Sequence, residues 1–162
     1  MIRIKRSGGV AAILLLLAQA LPAHAAEDAH PDDREAIRAL FLRQAAGENA
    51  HDIGAIDAVL AHAAPGQPDP VSFVARAYRF WGREAVMEHF RATFRGTWRF
   101  EPDLDAMRIV PLGADAAQIF VPARVTFAPG GAVTTQLFLI NEFAIRSGDG
   151  WRVAAIVPVP AQ

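Results

Sequence analysis

Apolar residues recur at helical spacing in the first part of the chain and alternate with polar ones in the second. Asp32 followed by Glu35 reads as a helix cap with its reciprocal acid, and Ile37, Leu40, Phe41 and Ala45 continue on one helical face. This pattern predicts a helix over residues 33–48. Asp52 caps a shorter segment in which Ile53, Ile56, Val59 and Leu60 share a face, and Pro65-Gly66 ends it. Residues 67–79 carry a mixed signal and no assigned element. Gly82 then opens a third helix, 83–94, with Val86, Met87, Phe90 and Phe94 on one side before Gly96 stops it.

Past Gly96 the period becomes two, which predicts strands at 98–100, 108–112, 118–128, 133–146 and 151–159. Pro129-Gly130-Gly131 and Ser147-Gly148-Asp149-Gly150 supply the turns that make hairpins of the last three. Helices first and a meander afterwards means an α+β fold, with three N-terminal helices packed on one face of a curved antiparallel sheet. In the strand over 133–146, the row Val133, Thr135, Leu137, Leu139, Asn141, Phe143 and Ile145 reads as the inner face, leaving Thr134, Gln136, Glu142 and Arg146 outside. An amide in such a row either lines a cavity or bonds a neighbouring backbone, because an unpaired buried polar group costs about 1 to 3 kcal/mol.

The amino terminus carries an address. Arg3, Lys5 and Arg6 precede an unbroken apolar run over 10–18, and Ala23-His24-Ala25 places small residues where a signal peptidase reads. Residues 1–25 are therefore expected to be a cleaved signal peptide, cut after Ala25. Residues 26–162 then form a single domain, periplasmic or secreted. The run is about half the ~20 residues that a permanent membrane anchor needs.

Composition then removes chemistries. The 162-residue chain has 16 Lys+Arg against 17 Asp+Glu, so no basic surplus points to nucleic acid. Without cysteine there are no disulfides, thiolate nucleophiles or Cys-ligated metals. The one lysine is Lys5, inside the expected leader, so Schiff-base and P-loop chemistry are excluded from the domain. Ser72 and Ser147 lie in no nucleophile elbow, and His30, His51, His62 and His89 have no metal-ligating spacing. No cofactor and no metal are expected. Glu84 and Glu88 share a stripe with Arg83, Arg91 and Arg95 nearby, which reads as a solvated ion-paired face; His89 reads as a packing residue.

Trp81-Gly82-Arg83-Glu84-Ala85-Val86 at the third helix and Gly150-Trp151-Arg152-Val153-Ala154 in the last strand resemble the nuclear transport factor 2-like superfamily. The narrower likeness is to its small polyketide-cyclase-like and domain-of-unknown-function 4440-type bacterial members, over about residues 33–157. The resemblance implies a cone-shaped sheet whose mouth holds a small apolar ligand, and a homodimer through the sheet. It also implies site residues. Asp69, in Asp69-Pro70-Val71, stands where the isomerases of this superfamily carry their base. Asn141, in Ile140-Asn141-Glu142-Phe143, stands where they carry a donor acid, while Gln44 occupies the place of their donor tyrosine. That set is incomplete and argues against ketosteroid isomerase itself. Val157-Pro158-Val159 replaces the His-Asn-Thr found in relatives. The residues from Phe73 to Trp81 fall at the mouth of the cone, and Phe41, Tyr78, Trp81 and Phe143 are the ligand-binding candidates.

These readings give an exported protein that binds a small apolar molecule with weak or no catalysis. One alternative is an acid-base enzyme of isomerase, cyclase or dehydratase type, acting on a small apolar carbonyl compound through Asp69 and Asn141. The second is a protein interaction module.

Overall fold

The computed structural model describes residues 31–76, 78–128 and 131–162, so the expected leader and part of the Pro129-Gly130-Gly131 turn lie outside the described residues. Helix α1 spans Pro31–Ala50, α2 Ile53–Val59 and α3 Arg83–Phe94. The strands are β1 Ser72–Val74, β2 Arg79–Trp81, β3 Trp98–Pro102, β4 Arg108–Pro111, β5 Ala116–Phe127, β6 Thr134–Ser147 and β7 Gly150–Pro160. They form one curved, unclosed sheet in the order β2-β1-β7-β6-β5-β3, with β4 also pairing β5. The architecture is α+β, as the patterning predicts.

The mixed segment 67–79 holds the main departures. It contributes β1, which pairs with β2 in a short hairpin and runs parallel to β7, with Ser72 opposite Ala155. Three-residue strands are too short to show a period. The second helix also ends earlier than Pro65-Gly66 suggests. Leu60 bridges Val153 in parallel and the Ala61 N–H donates to the Val153 carbonyl at 2.8 Å, so sheet pairing captures the chain where the helix stops. Asp32 and Asp33 sit in the first turn of α1 rather than before it. Asp33 receives the Trp151 indole N–H at 3.2 Å and pairs with Arg146 at 2.6 Å, tying the start of α1 to the β6–β7 hairpin.

The turn between α1 and α2 fixes how the helices cover the sheet. His51 takes φ 53°, while the Asp52 N–H reaches back to the Gly47 carbonyl at 2.9 Å and the His51 N–H to Glu48 at 3.2 Å, which closes the helix in a Schellman motif. Asp52 then caps α2 by accepting from the Ala55 N–H at 3.0 Å. A Cβ on Gly47 would come within 3.0 Å of the Ala55 Cβ, so only glycine lets the two helices approach this closely. Asn49 clamps the end of α1 onto β3, donating to the Phe100 carbonyl at 2.7 Å and accepting the Phe100 N–H at 2.8 Å.

The long strands β5, β6 and β7 build the curved wall. On β5 the buried residues are Ala117, Ile119, Val121, Ala123 and Val125. On β6 they are Ile140, Glu142 and Ala144, with Phe138 half-buried beside them. The pairing of β6 with β7 shifts register between Phe143 and Ala144, a bulge that bends the sheet next to Glu142. The inner face of β6 is thus opposite to the one that alternation assigned. Both rows of that strand are apolar, so periodicity locates two faces without ranking them, and the even-numbered row with Glu142 is the one that closes on the helices.

Candidate functional site

A cavity of about 750 Å³ lies between the inner face of the sheet, α3 and the C-terminal end of α1. That volume is within the ordinary range for a small-molecule site. Its walls are mostly aromatic and aliphatic: Phe73, Phe80, Trp98, Phe100, Phe127, Phe138, Ile140, Ile156 and Pro158 all contribute. His89 stacks on Phe80 at 4.6 Å between ring centroids and lies 4.4 Å from the Phe73 ring. Burial in this ring cluster holds the His89 imidazole below its usual pKa, favouring the neutral form.

Two carboxyl groups sit among these apolar walls. Glu48 comes from the last turns of α1 and Glu142 from the inner row of β6, only 4% and 1% exposed. The Gln44 side chain, one turn before Glu48, bridges them by donating from Nε2 to Glu142 Oε1 at 2.7 Å and to Glu48 Oε1 at 3.1 Å. The second oxygen of Glu48 accepts the Trp98 indole N–H at 3.1 Å. Glu142 Oε2 is buried with no hydrogen-bond partner among the described residues. Both acids are therefore shifted upward. Burial pushes Glu48 from 4.5 up to about 7 against the two hydrogen bonds it accepts, while burial together with repulsion from Glu48 pushes Glu142 up to about 8. Near neutral pH the pair shares protons and ionises in two coupled steps. It can both give and take a proton.

The expected site residues are placed differently. Asp69 is exposed in the loop before β1 and does not line the cavity. Asn141 lies on the outer face of β6, where it accepts from Gln118 Nε2 at 3.0 Å; neither of the two open readings for it, cavity or backbone, describes that bond. Phe143 shares its outer row. Phe41 is fully buried and packs on Phe100 at 6.1 Å between centroids, a core contact outside the cavity lining. Trp81 is 70% exposed and also outside the lining, whereas Tyr78, 54% exposed, does line the cavity. Glu48 and Glu142 had no place among the expected residues. One signal was available: Gln44 and Glu48 continue the row that Ile37, Leu40 and Phe41 define on α1, so two polar residues stood at core-facing positions.

Among the described residues no three His, Asp or Glu side chains are grouped to hold a metal, and no helix is long and apolar enough to cross a membrane.

No family model and no curated protein matches the chain. Solved structures do. The fold is that of the nuclear transport factor 2-like, or cystatin-like, proteins, as the sequence resemblance implies. A candidate dehydratase of the NTF2-like family from Streptomyces avermitilis aligns at 18% identity with a TM-score of 0.69, covering 82% of this chain and 99% of that one. A candidate aromatic ring hydroxylase from Novosphingobium aromaticivorans aligns at 16% identity, TM-score 0.70, covering 83% and 93%. A ketosteroid isomerase-like protein from Erwinia carotovora atroseptica aligns at 17% identity, TM-score 0.65, covering 82% and 99%. At these identities the likeness is one of fold, which is compatible with small-molecule binding or isomerase-type chemistry.

Proposed function

We propose that this protein is an exported cone-fold domain that binds one small, largely apolar molecule, with weak or no catalysis. The observation that carries the reading is the cavity of about 750 Å³, walled by aromatic side chains with buried Glu48 and Glu142 among them. The charged leader, apolar run and small-residue cut site before Ala26 support export. The outer sheet row supports a homodimer: Leu137 and Val159 are exposed and Leu139, Phe143 and Val157 half-buried, an apolar surface of the kind that marks an interface. The neutral dye Nile red tests the central part. It is expected to brighten on binding one molecule per chain, and Ala92→Trp, on the cavity wall of α3, to weaken it about tenfold or more. Native mass spectrometry of the same exported sample reads subunit count and a chain beginning at Ala26. A dye that stays dark at high protein concentration contradicts the proposal.

A second reading is acid-base chemistry on a carbonyl compound, favoured specifically by Glu48 and Glu142 titrating near neutral pH inside the cavity. It places the carboxyl work on these two acids instead of Asp69 and Asn141. Under it, the protein accelerates deuterium uptake at the activated carbons of 2-tetralone in D2O, and Glu48→Gln abolishes the acceleration. Exchange no faster than in buffer leaves binding as the function.

A further inference from the structure

We infer that the molecule this cavity takes carries a protonated amine on an apolar, aromatic-sized body, with the ammonium seated against Glu142 and Glu48. The inference rests on the binding reading above and names its ligand class. Three features of the site point the same way. First, among the described residues every charged side chain that lines the cavity is acidic. Glu48 comes from α1, Glu142 from β6 and Glu88 from α3, while His89 and Tyr78 are neutral neighbours and β3, β5 and β7 present only Trp98 and apolar or small side chains. Among the described residues no arginine lines it.

Second, the buried acids have few donors among the described residues. Among the described residues, Gln44 Nε2 and Trp98 Nε1 alone donate to them, and Glu142 Oε2 receives nothing. The Gln44 Oε1 acceptor beside them is also buried without a partner. Once the pair gives up its proton these open oxygens are all acceptors, and they suit a ligand with several N–H donors, which an ammonium has and a ketone or ether does not. Third, the walls are built of aromatic rings, which stabilise a cation through their faces while remaining apolar enough to hold its hydrocarbon body. A free carboxylate or phosphate ligand would meet only like charge here.

The proton balance follows from the same groups. The amine enters already protonated, the carboxyl pair releases a proton to buffer as it becomes an ion-pair partner, and no covalent bond changes apart from that O–H. Binding is therefore strongest where the acids ionise readily, and weakens as acid keeps them protonated. The upward shifts of Glu48 and Glu142 place the weakening below neutral pH.

The experiment compares 2-naphthylmethylamine with its neutral isostere 2-naphthalenemethanol, by titration calorimetry on the purified protein at about pH 6 and about pH 8 in two buffers of different ionisation heat. The expected result is an amine at least about tenfold tighter than the alcohol at the higher pH. About one proton should be released per amine at the lower pH, and none per alcohol. In the Glu48→Gln/Glu142→Gln double variant the two compounds are expected to bind alike, with Nile red still bound to show an intact cavity. Alcohol binding as tight as amine overturns the amine inference while leaving the cavity a binding site. An amine preference that survives in the double variant overturns the assignment to this pair and points to Glu88. If neither naphthalene compound nor Nile red binds, the binding reading falls together with this one.

Discussion

Replacing Glu142 with glutamine is expected to stabilise the fold at mildly alkaline pH, although it removes a carboxyl group that accepts a hydrogen bond. In the folded protein Glu142 holds its proton up to about pH 8, whereas its ordinary value is 4.5. The unfolded chain therefore loses this proton first, and each pH unit between the two values costs the fold up to about 1.4 kcal/mol. Stability from this group is fully present below pH 4.5 and is lost as pH rises through about 8. Glu48 adds a parallel loss ending near pH 7. A glutamine keeps the carbonyl that accepts from Gln44 and has no proton to lose. At pH 9 or so the variant should exceed the parent by about 2 to 4 kcal/mol, and near pH 4 it should not exceed it at all. Urea denaturation across that range measures the difference. A pH-independent difference would mean that Glu142 titrates normally.

Gln44→Leu has the opposite sign and a different cause. The amide nitrogen of Gln44 is the one donor shared by both acids, at 2.7 Å and 3.1 Å. Leucine fills similar space but leaves Glu142 with no partner and Glu48 with Trp98 alone. Hydrogen bonds to charged groups are worth about 1.5 to 3 kcal/mol each, so a loss of about 3 kcal/mol is expected above pH 8, where both acids carry charge. At about pH 5 both are neutral and the loss should shrink to near 1 kcal/mol. The same denaturation experiment at two pH values separates this from simple loss of packing, which would be equal at both.

The path from sequence to this site was uneven for identifiable reasons. The third helix was legible residue for residue because Gly82 and Gly96 bracket an apolar row with a clean period. The five later strands emerged within a few residues for the same reason. The inner face of β6 did not, since Leu137, Leu139, Phe143 and Ile145 form an outer row as apolar as the inner one. Such a row looks like core when the chain is read alone, whatever covers it. The short strands β1 and β2 escaped because three residues cannot display alternation.

The carboxyl pair escaped for a deeper reason: Glu48 and Glu142 are far apart in sequence, and each alone resembles a surface acid. Only the packing of α1 on the inner row of β6 brings both onto Gln44. Counting along the chain from the resemblance did find Gln44, as the place where a tyrosine is missing. Its function as a bridge between two acids needed the third dimension.

The chemistry of the site depends on two buried glutamates that share protons near neutral pH inside an apolar cavity. Carbon-13 NMR of the glutamate side-chain carboxyls, followed across pH in the parent and in Glu142→Gln, measures this directly. Two signals still changing near pH 7 and pH 8 are expected, with one such signal left in the variant. If every glutamate carboxyl completes its titration near its ordinary value of 4.5, Glu48 and Glu142 do not share protons near neutral pH, and that contradicts the site described.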